Sequence, residues 1–385
     1  MTTLPPSSSL VDLNLKNAAY ERFGVESHWV VDPDEPSIIV FEFDDGRYRE
    51  RARGNGAAVI DLTTPFPVRL CPLDLRRSLD PQLVAQLSPA STGRIDPMRV
   101  TSVRIYPVKS MGGVAVECAS VEPWGLAGDR RFGIVDPHGE KITARELHAL
   151  LGFHAEPRDD GGISITGPAG DSIVVRPPVD GELVAVSHAR QGKATLVADE
   201  IHGWLSDRLG RPVRLVWQGD PTLRSIAEDR GGLAGESLSL ADAGPLLLAS
   251  EASMAQLNRW IAADAELSDV AGIDPFDISD ASAARPFEPL DIVRFRPNVV
   301  IDGDEPFAED RWATLRIGEV EFRTTMICDR CVMTTIDPVT LAGGKEPIRT
   351  LARHRRWDRS TWFGVRLAPT SSGTIEVGDS LEVRT

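Results

Sequence analysis

Cysteine is scarce: Cys71, Cys118, Cys328 and Cys331 are the four in a chain of 385 residues. So few cannot build the disulfide framework of a small secreted scaffold, which leaves metal or redox chemistry as their special use. Long apolar runs are missing too, and none approaches the roughly 18 uninterrupted apolar residues of a spanning helix. The opening MTTLPPSSSL has neither the basic flank nor the apolar core of a signal peptide. Positive charge is in deficit, with 42 Lys and Arg against 57 Asp and Glu for a formal net charge of -15. Neutralising phosphates needs a basic face, so nucleic acid is not an expected partner, and neither is a membrane. No G-x-G-x-x-G opens a helix after a strand, Gly344-Lys345 is followed by Glu346 rather than by Ser or Thr, and no solenoid-length repeat occurs. A cytoplasmic protein of two or three domains is expected, with 42% hydrophobic residues to fill its cores.

Residues 10–75 read as one block. Val11 to Phe23 has helical character and stops at Gly24, and the runs HWVVD, SIIVFEF, AAVIDL and FPVRL follow as short strands between turn signals. Four short strands and one helix make a poor independent core. Residues 76–97 become polar and rich in Pro, Ser and Gly, as a linker would. Met98 opens MRVTSVRIYPVKS as a fresh strand. Beyond it, hairpins are predicted at DPHGE, between RFGIV and KIT, and at GPAGD, between GISIT and SIVVRPP. A helix is predicted over Asp199–Leu209, with Ile201, Leu205 and Leu209 on one stripe and Gly210 and Pro212 to stop it. A second takes Ser250 as N-cap and carries Met254, Leu257 and Ile261 at helical spacing. From about Ala263 to Asp291 runs an acidic excursion without periodicity. FRPNVVI, ATLRIGEVEFRTTMI and TIEVGDSLEVRT return to strand patterning. The fold class is α+β: β-rich and barrel-like, with helices added.

The sharpest local feature is Cys328-Asp329-Arg330-Cys331. A thiolate suits soft or high-valent metal centres, and an adjacent guanidinium such as Arg330 favours the ionised thiol. Three other readings stand beside a metal thiolate. Zinc would want two more ligands at matching spacing, and only His354 follows nearby. A redox dithiol should lie between a strand and a helix, whereas CVMTTID continues with β character. The pair could also be structural.

The surroundings bear on that choice. Arg296-Pro297-Asn298, Phe307-Ala308-Glu309-Asp310 with Trp312, Ile317-Gly318, the Cys331 segment, Thr334-Thr335-Ile336-Asp337-Pro338, Phe363-Gly364 and Val377-Gly378-Asp379 form an ordered series. This series resembles the MOSC domain, named for the C-terminal part of molybdenum-cofactor sulfurase. Upstream, Tyr106-Pro107-Val108-Lys109-Ser110, Gly125-Leu126, Gly128-Asp129-Arg130-Arg131-Phe132 and Thr143-Ala144-Arg145 resemble the β-barrel domain that precedes MOSC in one subgroup. That subgroup holds the mitochondrial amidoxime-reducing component and its bacterial relatives. On this resemblance residues 98–215 are the MOSC N-terminal β-barrel domain and 216–385 the MOSC β-barrel domain with added helices.

The resemblance implies a molybdenum cofactor (Mo-molybdopterin). Its pterin supplies two dithiolene sulfurs to the metal and one protein cysteine a third. The matching position is Cys331, which becomes metal ligand and catalytic residue, with Cys328 a neighbour. Lys109, Ser110, Arg131, Arg296 and Asn298 match positions that hold the cofactor, and Asp329 and Arg330 occupy the metal loop. An arginine fork makes paired charge-assisted bonds to phosphate, while a lysine acts as a point charge. Asp329 departs from relatives, which often have a small residue or proline there. The implied activity is reduction of small N-hydroxylated or N-oxygenated substrates, with a pocket near Arg145 and the acidic excursion. No C-x4-C-x2-C cluster motif follows the domain, so electrons come from a separate ferredoxin, cytochrome or flavoprotein reductase. The other implied role is a cofactor carrier or sulfur-handling protein without turnover of its own. Pyridoxal phosphate binding is implied only at the level of the wider family.

Asp12, Lys16, Tyr20, Gly24-Val25, His28-Trp29-Val30-Val31-Asp32 and Tyr48 resemble the C-terminal half of Uma-type restriction endonucleases. Those enzymes need acidic metal ligands on strands that precede this helix. Residues 1–75 are therefore expected to be a truncated nuclease-like α/β module, inactive as a nuclease. A family member would normally start near Met98, so a shorter translation product is a further expectation.

Overall fold

The computed structural model describes residues 2–3, 27–32, 37–44, 47–62, 68–72, 98–271 and 288–384. The expected helix from Val11 to Phe23, with Asp12, Lys16, Tyr20 and Gly24-Val25, the linker 76–97 and most of the acidic excursion lie outside these residues. The chain divides into two compact units, Met1–Ile95 and Asp96–Thr385.

In the first unit Thr2–Thr3 runs parallel to Ser27–Asp32, and Ser37–Asp44 and Arg47–Asn55 extend the sheet antiparallel. Ile60–Leu62 and Val68–Leu70 pair separately. Ile38 and Val40 point inward at the two-residue period of a strand. With Leu62 they form a small core against Trp29, Ala52, Ile60 and Leu70. The strand Arg47–Asn55 reads RYRERARGN, too charged to register as a strand by pattern. It lies at the end of the described sheet, where charged side chains discourage pairing with another chain.

In the second unit seven strands close into a barrel. They are β1 (Met98–Ile105), β2 (Leu246–Ser250), β3 (Val299–Ile301), β4 (Thr314–Ile317), β5 (Val320–Asp329), β6 (Ser360–Pro369) and β7 (Ser380–Arg384). Their order is β2-β3-β1-β7-β4-β5-β6, and β6 pairs back onto β2 with Leu246 opposite Leu367 and Leu248 opposite Val365. Inward positions are apolar in every strand. Val103, Leu248, Val299, Ile301, Ile317, Val365 and Leu367 are wholly buried in one cluster, each such side chain contributing about 1.5–3 kcal/mol. The β4–β5 turn needs Gly318: its φ is 55°, and an added Cβ would stand 2.6 Å from Asp379 Oδ2.

Beside the barrel a five-stranded sheet runs in the order Lys141–Ile142, Phe132–Val135, Arg214–Trp217, Lys193–Leu196, Leu183–Ala185. The two expected hairpins are present, joining Phe132–Val135 to Lys141–Ile142 and Ile163–Thr166 to Ser172–Val175. Helix α1 (Asp199–Leu209) buries Ile201, Leu205 and Leu209 in that layer's core and ends at Gly210 with φ 65°. Helix α2 (Glu251–Ala271) starts as its sequence predicts, with Ser250 Oγ accepting from the backbone N–H of Ala252 (3.1 Å) and Ser253 (3.4 Å). Helix α3 (Ile348–His354) packs against β6. With three α-helices among the described residues, the architecture is the β-rich α+β arrangement expected.

Under the start of α2 lies a buried carboxyl. Ser253 Oγ donates to Glu309 Oε1 (2.7 Å) and accepts from Phe307 N (2.7 Å), while Glu309 Oε2 has no partner among the described residues. Burial pushes the Glu309 pKa up. A carboxyl raised in the folded state binds more protons folded than unfolded. Stability is therefore lost as pH climbs from the unfolded pKa, about 4.5, through the folded one. Glu309→Gln mimics the neutral form. In urea unfolding it should match wild type near pH 4 and exceed it above pH 7; a gain independent of pH would contradict a proton held on Glu309.

Candidate functional site

The Cys328-Asp329-Arg330-Cys331 loop forms where β5 leaves the barrel rim. β5 stays paired to β6 as far as Asp329 opposite Trp362, with register shifts after Thr324 and Ile327. Arg330 N then donates to Thr361 O (2.8 Å). Cys331 ends the extended stretch and caps a short turn, Val332–Thr335. The two cysteines differ in setting. Cys328 is buried and accepts from Arg330 Nη1 at 2.8 Å. The Cys331 thiol is half-buried, lines a cleft, and has no hydrogen bond among the described residues.

That cleft has a cavity volume of about 120 Å³. Lys109, Ser110, Arg296, Asn298, Asp329 and Arg330 line it with Cys331. Seven of the eight residues singled out by sequence thus share one space, although Lys109 and Cys331 are more than two hundred positions apart. Lys109 and Ser110 arrive just after β1, Ser110 with φ 72°. Arg296, with φ 56°, closes the turn before β3.

Arg131 is the exception. It does not line the cleft: Nη2 donates to the carbonyls of Gln218 (2.6 Å) and Gly219 (2.9 Å), and the guanidinium lies near the rings of Trp217 and Trp124. Arg130 lines it instead. Arg130 has φ 49° and Arg131 enters the strand Phe132–Val135, so the two neighbours point to opposite sides. Arg130 Nη1 donates to Asp129 Oδ2 (2.5 Å) and Asn298 Oδ1 (3.0 Å), and Nη2 to Arg296 O (3.2 Å).

Asn298 is a hub. Its Nδ2 donates to Arg104 O (3.1 Å) and Asp129 Oδ1 (3.1 Å), and its Oδ1 accepts from Leu247 N (3.2 Å) and Arg130 Nη1. With its amide satisfied inside the protein, Asn298 shapes the cleft wall rather than offering a free group. Asp329 is likewise engaged, accepting from Arg366 Nη2 and from Arg230 Nη1 (3.3 Å). Burial works against its ionisation, but Arg366 and Arg230 hold its pKa below the usual carboxylate value.

Other groups remain open. Arg296 Nη1 donates to Met111 O (2.6 Å), but among the described residues Nη2 is buried without a partner, as is Arg366 Nη1. Burial lowers the Arg296 pKa to about 10, which keeps it charged at neutral pH. Lys109 Nζ donates to Leu240 O (2.8 Å) and Asp242 Oδ1 (2.5 Å). Burial pushes Lys109 down while Asp242 pulls the other way. The Lys109 ammonium holds the Asp242 carboxyl far below its ordinary value. Asp242 is 62% exposed, open to the cleft yet surrounded by protein charge, and Arg145 lies 4.0 Å from it. Lys109, Arg130, Arg145, Arg296, Arg330 and Arg366 against Asp242 and Asp329 make the cleft basic in a chain of net charge -15.

Sequence reasoning missed Arg130, Asp242 and Arg366. For Arg366 a signal existed: it is the lone charge in STWFGVRLAP, whose interior residues are all buried, and a buried charge needs a partner or a ligand. Asp242 sits among small residues in a turn and gives no such signal.

Among the described residues no group of three or more His, Cys, Asp or Glu side chains could hold a metal ion. A metal at Cys331 must therefore bring most of its own ligands. The unpartnered guanidinium N–H groups of Arg296 and Arg366 suit an anionic group such as a phosphate. A phosphate-bearing cofactor that carries its own sulfur ligands to the metal fits both demands.

The MOSC N-terminal beta barrel domain is matched over residues 97–212 and the MOSC domain over residues 235–382. Residues 4–76 match the Uma2 family, "Putative restriction endonuclease". Similar proteins include human mitochondrial amidoxime-reducing component 1, 29% identical over 73% of this chain and 81% of its own length. The molybdenum cofactor sulfurases of Danio rerio and Oryza sativa subsp. japonica are 28% and 30% identical, over 77% and 72% of this chain. The chain spans only about a third of each sulfurase (35% and 33%). Among solved structures, the YUAD protein of Bacillus subtilis aligns at TM-score 0.32 and 11% identity over 74% of this chain and 93% of that one, too loosely to carry an argument. The sulfurases' name ties those relatives to the molybdenum cofactor. No helix among the described residues is long and apolar enough to cross a membrane.

Proposed function

We propose that the protein is a molybdenum-cofactor oxidoreductase that reduces small N-hydroxylated substrates with electrons from a separate carrier protein. The observation that supports this best is the open Cys331 thiol beside unpartnered guanidinium groups in a basic cleft. In this reading Lys109, Arg296 and Arg366 hold the cofactor's anionic end, and Cys331 is the one protein ligand to its metal. When bound, the cofactor supplies two-electron chemistry at that metal. Arg330 fixes the loop by donating to Phe295 O (2.8 Å) and to Cys328 Sγ. Arg145 and Asp242 offer a donor and an acceptor to the polar head of an amidoxime. Similarity to amidoxime-reducing components over four-fifths of their length favours the assignment. A cytoplasmic setting, as the sequence suggests, would make the electron carrier a soluble protein.

The test is molybdenum and pterin analysis of full-length protein from a cofactor-competent host, with benzamidoxime reduction driven by dithionite-reduced methyl viologen. Wild type should carry near-stoichiometric metal and turn over. Cys331→Ala should lose metal and activity, while Cys328→Ala should keep most of both. Equal metal in all three proteins would sink the ligand assignment. A second reading, a cofactor carrier or sulfur-handling protein, is favoured by the similarity to the sulfurases. Bound cofactor without any benzamidoxime reduction would select it.

A further inference from the structure

We propose that the exposed hairpin beside the metal loop is the docking surface for an acidic electron-carrier protein; the proposal rests on the reductase reading above. Arg356–Trp357 folds back on Ser360–Thr361, the first residues of β6. Thr361 O accepts from Arg330 N, Thr361 Oγ1 donates to Arg330 O (3.4 Å), and the next residue, Trp362, stands opposite Asp329. The hairpin is therefore continuous with the strand that braces the Cys331 loop.

Its charge is unlike that of the chain. Arg353 is spent on Asp264 (2.8 Å), and Arg355 is buried against Asp310. Arg356 and Arg359 are exposed and have no acidic partner among the described residues. With the exposed Asp358 between them they leave a patch of local charge +1, on a protein of net charge -15. An overall repulsion of that sign is screened within a Debye length of about 8 Å at physiological salt. Close approach of an acidic partner is then governed by the local patch. A basic carrier would instead be drawn to the acidic remainder of the surface, with no reason to choose this hairpin.

An apolar anchor stands in the same place. Trp357 is 40% exposed, stacks on Trp362 at 5.6 Å and 23°, and has the Arg355 guanidinium 5.3 Å from its ring. Trp362 Nε1 donates to Trp357 O (3.0 Å). A ring held this way offers contact area with little ordering still to be done, as interface anchors do. Asp358 and Arg359 occupy the hairpin tip with φ of 49° and 62°. The carrier is oxidised by one electron at each docking. Two dockings with two protons convert one N–OH group to N–H and water.

The test uses full-length holoprotein and plant-type [2Fe–2S] ferredoxin as the acidic probe. Binding is measured by thermophoresis in 50 mM NaCl, and benzamidoxime reduction is driven either by reduced ferredoxin or by reduced methyl viologen. Arg356→Glu/Arg359→Glu should bind ferredoxin at least tenfold more weakly and slow ferredoxin-driven turnover by as much. Its viologen-driven rate should stay at the wild-type level, which also reports an intact fold. Arg211→Glu/Lys193→Glu, the same charge change elsewhere on the surface, should leave ferredoxin binding within twofold. Ferredoxin binding unaffected by the hairpin change, or undetectable in wild type, would overturn the docking surface. Ferredoxin binding that depends on the hairpin, with no viologen-driven turnover in any protein, would uphold the surface and defeat the reductase reading.

Discussion

Asn298→Leu should destabilise the second unit by about 3–5 kcal/mol, read as a fall in the urea midpoint at an unchanged slope. The amide joins four partners on different segments: Arg104 of β1, Leu247 of β2, Asp129 and Arg130. Leucine keeps most of the volume and answers none of them. Leaving a buried donor or acceptor unmet costs about 1–3 kcal/mol. Breaking a buried charge network costs about 3–5 kcal/mol, because the remaining charges stay desolvated. Asp129 is 1% exposed and would keep its bonds from Tyr106 N and Arg130, so the loss should fall short of the sum of all four. Asn298→Asp should be no better, since it sets a second carboxylate 3.1 Å from Asp129 Oδ1. A loss below about 1 kcal/mol would mean that water or neighbouring groups replace the amide and that the hub is not a structural one.

Arg296→Gln should weaken cofactor retention by roughly tenfold to a hundredfold while leaving the unfolding midpoint nearly unchanged. One face of the guanidinium is committed to Met111 O, and the Tyr106 ring lies 4.3 Å from it. Its Nη2 has no partner among the described residues. A glutamine amide is about two bonds shorter and cannot carry charge to an anion. A charge-assisted bond is worth about 1.5–3 kcal/mol, and 1.4 kcal/mol corresponds to tenfold in affinity. Pterin fluorescence per protein after extensive dialysis is the readout. Arg296→Lys should recover part of the loss, keeping the point charge but not the fork. Full retention in the glutamine variant would reduce Arg296 to a brace for the Met111 loop.

Local chemistry made much of this molecule readable from its sequence. The DPHGE and GPAGD turns, the Ser250 cap and the Gly210 stop each depend on a few adjacent residues, and each forms where the sequence places it. What escaped is what depends on distance. The segment from Met98 reads as the start of a separate domain, yet it inserts between β3 and β7. Alternating burial says that a strand has an inner face but not which strands flank it. At the cleft the same limit appears at a finer scale: Arg130 and Arg131 are chemically identical, and only the backbone turn at 130 decides which one faces inward. Arg366 comes from β6, the strand paired with β5, and nothing beside it in sequence announces Asp329 as its partner.

The place of β1 has a consequence for how the protein is made. Ser380 and Leu381 pair with Arg99 and Met98, so the earliest strand of the unit waits for almost the latest before the barrel can close. Pairings so distant in sequence are slow to form, since loop closure must precede any gain from contact. During synthesis β1 would present a bare edge to neighbouring chains, and demand for chaperones should be concentrated in that interval. Genetic dissection meets the same constraint: residues 216–385 expressed alone would leave β3 and β7 facing a missing strand, so a truncation should keep β1 with them.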